Sequence, residues 1–84
     1  MAGEMDTRLA YARDRIEEAV AEVEERLQDL KMLMEPLYHE APQSPIDTYR
    51  TIITTAQNVA SAARTLAEVA QREGNAYIEW AASI

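Results

Sequence analysis

Residues 36–45 read PLYHEAPQSP, and this stretch decides whether the 84-residue chain is one long helix or two. Proline has no N–H to donate and pushes the residue before it away from helical geometry. Pro36, Pro42 and Pro45 therefore turn the chain here. The expected fold is all-α, a single domain over 1–84 built as an antiparallel two-helix hairpin. Helix 1 is expected over about 6–35, the turn over 36–44 and helix 2 over about 45–73. A short helical tail over 75–84 is expected to restart after Gly74 and Asn75, a pair suited to capping a helix.

Upstream of the turn, Leu9, Ile16, Val23, Leu30 and Leu37 recur every seven residues. Val20, Leu27 and Met34 form the column four residues on, and Ala12, Ala19 and Leu33 lie on the other flank. Together they make an apolar stripe as wide as a core-facing helix needs, with Asp6 as the expected N-cap. Glu18, Glu22, Glu25 and Asp29, three or four residues apart, form an acidic ridge expected to face water or a cationic partner.

Downstream, Ser44, Pro45 and Asp47 make a helix start signal. The central column of helix 2 reads Tyr49, Ala56, Ala63, Ala70 and Tyr77. It is flanked by Ile52, Val59 and Leu66 on one side and by Ile53, Ala60 and Ala67 on the other. Alanine lets two helices approach toward the short end of the usual spacing of about 8–10 Å. Ile52, Ala56, Val59, Ala60, Ala63, Leu66, Ala67 and Ala70 are thus expected to form a self-association seam. The rest of the helix surface is mostly Thr, Ser, Asn and Gln, so helix 2 is expected to be contacted on more than one side. In the tail, Tyr77, Trp80 and Ile84 are candidates for contact with a partner or for sealing the end of the bundle. An antiparallel hairpin places them beside residues 1–8, where Met1 and Met5 are the available cover.

Charge is distributed unevenly. Between Glu4 and Glu35 lie ten acidic and five basic residues, and the rest of the chain has five acidic and three basic. Helix 1 therefore reads as the solvent side of an assembly and helix 2 as its inner side, two hairpins closing into a four-helix bundle. An 84-residue domain buries little surface and needs reinforcement. With no cysteine available, oligomerisation is the common remaining device. The net charge of −7 argues against direct binding to nucleic acid or an anionic membrane, and favours a second protein with a basic surface. No apolar run is long enough for a membrane span, and MAGEMDTRLA lacks the pattern of a secretory signal. A cytoplasmic location is expected, with export without a cleaved signal as the other reading.

His39 is the single histidine, placed after a proline and outside the Glu-x-x-His spacing of helical two-metal sites, so a solvated turn residue is expected. Glu22 and Glu25 form one E-x-x-E pair, but helix 2 has no matching acidic pair for magnesium. Ser44, Ser61 and Ser83 lack a nearby histidine, and Gly3 and Gly74 cannot form a phosphate-binding loop. Arg26, a cation on the edge of the helix 1 stripe, is expected to pair with Glu22 one turn earlier. No catalytic residue, metal site or cofactor is expected, and the chain is read as not an enzyme.

The functional expectation is a helical-hairpin interaction module, self-associating as a structural or assembly component of the virion, secretion or scaffold type. The alternative is a small acidic inhibitor that masks a basic site on an enzyme or nucleic-acid-binding protein. In length and layout the chain resembles the secreted WXG-type hairpin proteins of Gram-positive bacteria, a resemblance that implies pairing as helical dimers. The likeness is architectural. The turn PLYHEAPQSP has no Trp-x-Gly, and Ala81 stands four residues after Tyr77 where that family has an acid.

Overall fold

The computed structural model describes residues 2–84, and among them all side chains except those of Ala2, Glu4 and Met5. Helix α1 spans Ala2–Met34, a 3-10 turn spans Glu35–Tyr38, and helix α2 spans Pro45–Ala82. The two helices pack along each other as an antiparallel hairpin, with no strand among the described residues.

The turn follows the prolines. The last α-helical residue is Met34, two before Pro36, and the amides of His39 and Glu40 both donate to the Pro36 carbonyl at 3.1 Å. Helix α2 begins at Pro45 after Ser44, whose carbonyl accepts the Thr48 amide at 2.9 Å. The Ser44 hydroxyl makes no capping bond, so the start rests on Pro45 and on Asp47 in the first turn.

Both outer helix ends correct the sequence reading. Asp6 does not cap α1; it lies inside a helix that already runs from Ala2, and the Thr7 hydroxyl donates to the Gly3 carbonyl at 2.8 Å. At the other end no cap and restart occurs at Gly74 and Asn75. Helix α2 continues through them to Ala82, and none of the described residues has a positive φ. Glycine inside a helix costs about 1 kcal/mol relative to alanine. Tyr77 and Trp80, packed against the start of α1 in the next turn, oppose that cost.

The seam between the helices takes Ala12, Ile16, Ala19, Val23, Arg26, Leu30, Leu33 and Leu37 from the first half of the chain. From α2 it takes Thr48, Ile52, Thr55, Val59, Ala62, Leu66, Val69 and Glu73, and then Tyr77 and Trp80. The spacing alternates four and three and shifts forward near the C-terminal end, as a straight helix of 3.6 residues per turn requires. The expected central column of α2 is therefore displaced: Tyr49, Ala56 and Ala63 are exposed, and Ala62 lies at the centre of the contact.

Two helices side by side enclose very little. Among the described residues only Ala62 is buried. The molecule measures 62 × 17 × 12 Å with a radius of gyration of 18.9 Å, against about 12 Å for a globular domain of this length. Its accessible surface is 6466 Å², where a compact monomer of 9.5 kDa exposes about 5,000 Å².

Candidate interaction surface

A hairpin has two broad faces, one on each side of the plane containing both helix axes. On one face Glu22, Arg26, Asn58, Ser61, Ala62 and Thr65 line a single shallow cleft. Glu22 accepts from Arg26 Nε at 2.9 Å, the pairing expected from the sequence. Arg15 belongs to this face too and reaches across to Glu73 at 3.9 Å, while Arg72 approaches the same carboxylate at 3.4 Å. The Glu73 side chain is only 12% exposed, so the two arginines offset the burial of an acid within the seam. Glu18, Glu25 and Asp29 continue this polar side, all exposed, with Glu18 beside Arg15 at 3.4 Å. The acidic ridge thus borders a polar face of the hairpin, not the back of α1.

The opposite face is built differently. Val20, Leu27 and Met34 lie across the seam from Glu22 and Asp29, and Ala56 and Ala63 lie across it from Asn58 and Thr65. Since the polar members share one face, these apolar members share the other, where helical spacing also places Arg13, Glu24 and Lys31 of α1, all exposed. On α2 the line Ile46, Tyr49, Ile53, Ala56, Ala60, Ala63, Ala67 alternates three and four residues, the spacing of a second helix-packing stripe. All seven are exposed, Ile46 at 70%, Tyr49 at 53% and Ile53 at 56%. Ile78, eighteen residues or five turns after Ala60, extends the line. On α1, Leu9 stands five turns before Leu27 and is likewise exposed.

The residues expected to form one self-association seam are therefore divided. Ile52, Val59 and Leu66 pack half-buried against α1, whereas Ala56, Ala60, Ala63 and Ala67 stand on the open face, with Ala70 half-buried between the two. The sequence reading missed Thr48, Thr55, Ala62 and Val69 as seam residues. Their signal was present in the four–three alternation, but two threonines and an alanine carried little apolar weight. Of Val20, Leu27 and Met34, read as part of the core-facing stripe, Val20 and Met34 are half-buried and Leu27 is exposed at the border of the open face.

At the far end the Arg8 guanidinium lies over the Trp80 ring, 4.4 Å from its centroid, and Tyr77 meets Trp80 at 5.9 Å between ring centres. A cation over an aromatic face is favourable by about 0.5–1 kcal/mol at an exposed site. Tyr77 and Trp80 are half-buried within the chain itself, and Ile84 is 77% exposed. The suggested cover by Met1 and the Met5 side chain lies outside the described residues. In the turn, His39 Nε2 is 3.1 Å from Glu35 Oε1, with both side chains largely exposed. Among the described residues, no group of three or more His, Asp or Glu is placed to hold a metal ion. None of their helices is long and apolar enough to cross a membrane. Compared with known proteins, the chain matches no family model, no curated protein and no solved structure.

Proposed function

We propose that this chain is a non-enzymatic protein–protein interaction module that self-associates through its apolar face into a four-helix bundle. In this reading it is a structural or assembly component of the virion, secretion or scaffold type. The observation that carries the reading is the continuous exposed stripe on α2 from Ile46 to Ala67, joined by Leu27 of α1. Monomeric proteins rarely expose a contiguous apolar patch beyond a few hundred Å². The chain exposes about 1,400 Å² more than a compact monomer of its mass.

Light scattering of the purified chain over a concentration range tests this. A dimer or larger species that persists on dilution is expected, with a thermal midpoint that rises with concentration. A folded monomer at all concentrations would refute the reading.

The exposed acidic side, Glu18, Glu22, Glu25 and Asp29, favours a second reading, an acidic inhibitor that docks on a basic protein surface. Since that ridge lies away from the alanine stripe, a dimer would still present it. Steering by such a ridge speeds encounter with a basic partner and fades with added salt.

A further inference from the structure

We infer that the open end of the hairpin is a clasp that opens on its own, breaking in α2 at Glu73 and Gly74 while the rest of the two helices stays paired. The inference concerns contacts within one chain and does not depend on the self-association proposed above.

The seam changes character along its length. Between Ile16 and Val23 on α1, and between Val59 and Val69 on α2, its residues are all aliphatic. The next position in the three–four alternation of α2 is Glu73, an acid with a side chain only 12% exposed. Arg15, reaching to it from α1, stays 3.9 Å away, longer than a hydrogen bond. At the same level α1 has only Ala12 in the seam. A groove of about 520 Å³ opens there, lined in part by Tyr11, Ala12, Glu73, Ala76 and Tyr77. Side chains bordering such a gap lose the dispersion contacts that hold the aliphatic stretch together.

The backbone is weakest at this level too. Outside the helix's own backbone, no atom lies within 4 Å of where a Cβ would stand on Gly74, so no close approach requires glycine here. What glycine brings is conformational freedom, which disfavours the helix, and Asn75 after it is also a poor helix former. Seam, packing and helix propensity therefore all falter within a few residues.

Beyond the break, contacts resume in another form. The Arg8 guanidinium lies 4.4 Å from the centroid of the Trp80 ring, and Tyr77 meets Trp80 at 5.9 Å between ring centres. These contacts join the first turns of α1 to the last turns of α2. Segments bounded by such weak points open sub-globally, at a lower free energy than the whole fold. Opening uncovers Tyr77 and Trp80 beside Ile78 and Ile84, which are already exposed.

Trp80 is the only tryptophan, so its fluorescence reports the clasp while ellipticity reports the helices. In a urea titration of the full chain at two protein concentrations, fluorescence is expected to change first, at the same urea in both, with most ellipticity retained. Arg8→Gln removes the cation over the ring and should raise the open fraction about two- to fivefold. Gly74→Ala should lower it about two- to fivefold. Coincident fluorescence and ellipticity transitions would overturn the inference, because the hairpin would then be one cooperative unit. A fluorescence transition that moves with protein concentration would also overturn it, since Trp80 would be reporting a contact between copies. Gly74→Ala with an unmoved fluorescence transition would overturn the break at residue 74.

Discussion

The two apolar lines of helix α2 differ in side-chain size more than in pattern. The inner line has Ile52, Val59 and Leu66 between smaller residues, and it faces α1. The outer line is alanine from Ala56 to Ala67, with Ile53 and Tyr49 before it, and it is open. Both alternate three and four residues, so both are competent to pack a helix. Bulky side chains can pack against α1 within one chain, because the turn holds the two helices side by side. Alanine removes little apolar area per residue, so a stripe of it becomes stabilising when a second surface approaches closely along its whole length. The inner line thus makes the hairpin, and the outer line suits an assembly.

The largest effect is expected from breaking the outer line. Ala63→Glu places a carboxylate in the centre of the alanine stripe, and burying it unpaired in a bundle costs several kcal/mol. Light scattering should show loss of the oligomer, and circular dichroism should show reduced helicity at low concentration, because the lone hairpin buries almost nothing. An unchanged mass for this variant would mean that the stripe is not the contact.

A substitution on the inner line sharpens the contrast. Leu66 is half-buried, so Leu66→Ala should cost less than the 2–5 kcal/mol typical of a fully buried leucine, about 1–2 kcal/mol. The expected outcome is a thermal midpoint lower by several degrees with the oligomer retained at high concentration. A monomer that keeps wild-type melting would reverse the roles assigned to the two lines.

The smallest effect belongs to the polar face. Glu22→Lys with Glu25→Lys removes the Glu22–Arg26 pair, whose side chains are 47% and 43% exposed. Exposed pairs of this type are worth less than about 1 kcal/mol. Chemical denaturation should shift slightly and the mass not at all. Loss of the oligomer here would place the self-association surface on the acidic side.

Much of this was legible in the residues. The prolines dictate a turn between two helices, because a ring without an N–H cannot continue the hydrogen-bond ladder. The heptad column that runs from Ile16 through Leu30 of α1 to Leu37 in the turn faces α2 as its spacing requires, with Leu9 at its open end. The Arg26–Glu22 pair, one turn apart, also follows from spacing alone. By contrast, Gly74 and Asn75 read as a helix end, yet they lie within α2. A local preference of about 1 kcal/mol yields to the packing of Tyr77 and Trp80 beside Arg8.

By itself, then, the sequence determined two helices, the position of the turn between them and the concentration of charge on the first. Tertiary structure alone decided which line of α2 turns inward. The inner and outer lines lie less than a third of a helical turn apart at their nearest columns, and Thr48, Thr55 and Ala62 look no more apolar than Ala56, Ala60 and Ala63. Only docking on α1 resolves that ambiguity, because the rotation that seats Ile52, Val59 and Leu66 together also turns the alanines outward. The same rotation gathers Glu22, Asn58 and Thr65 on one face and Leu27 with the alanine stripe on the other.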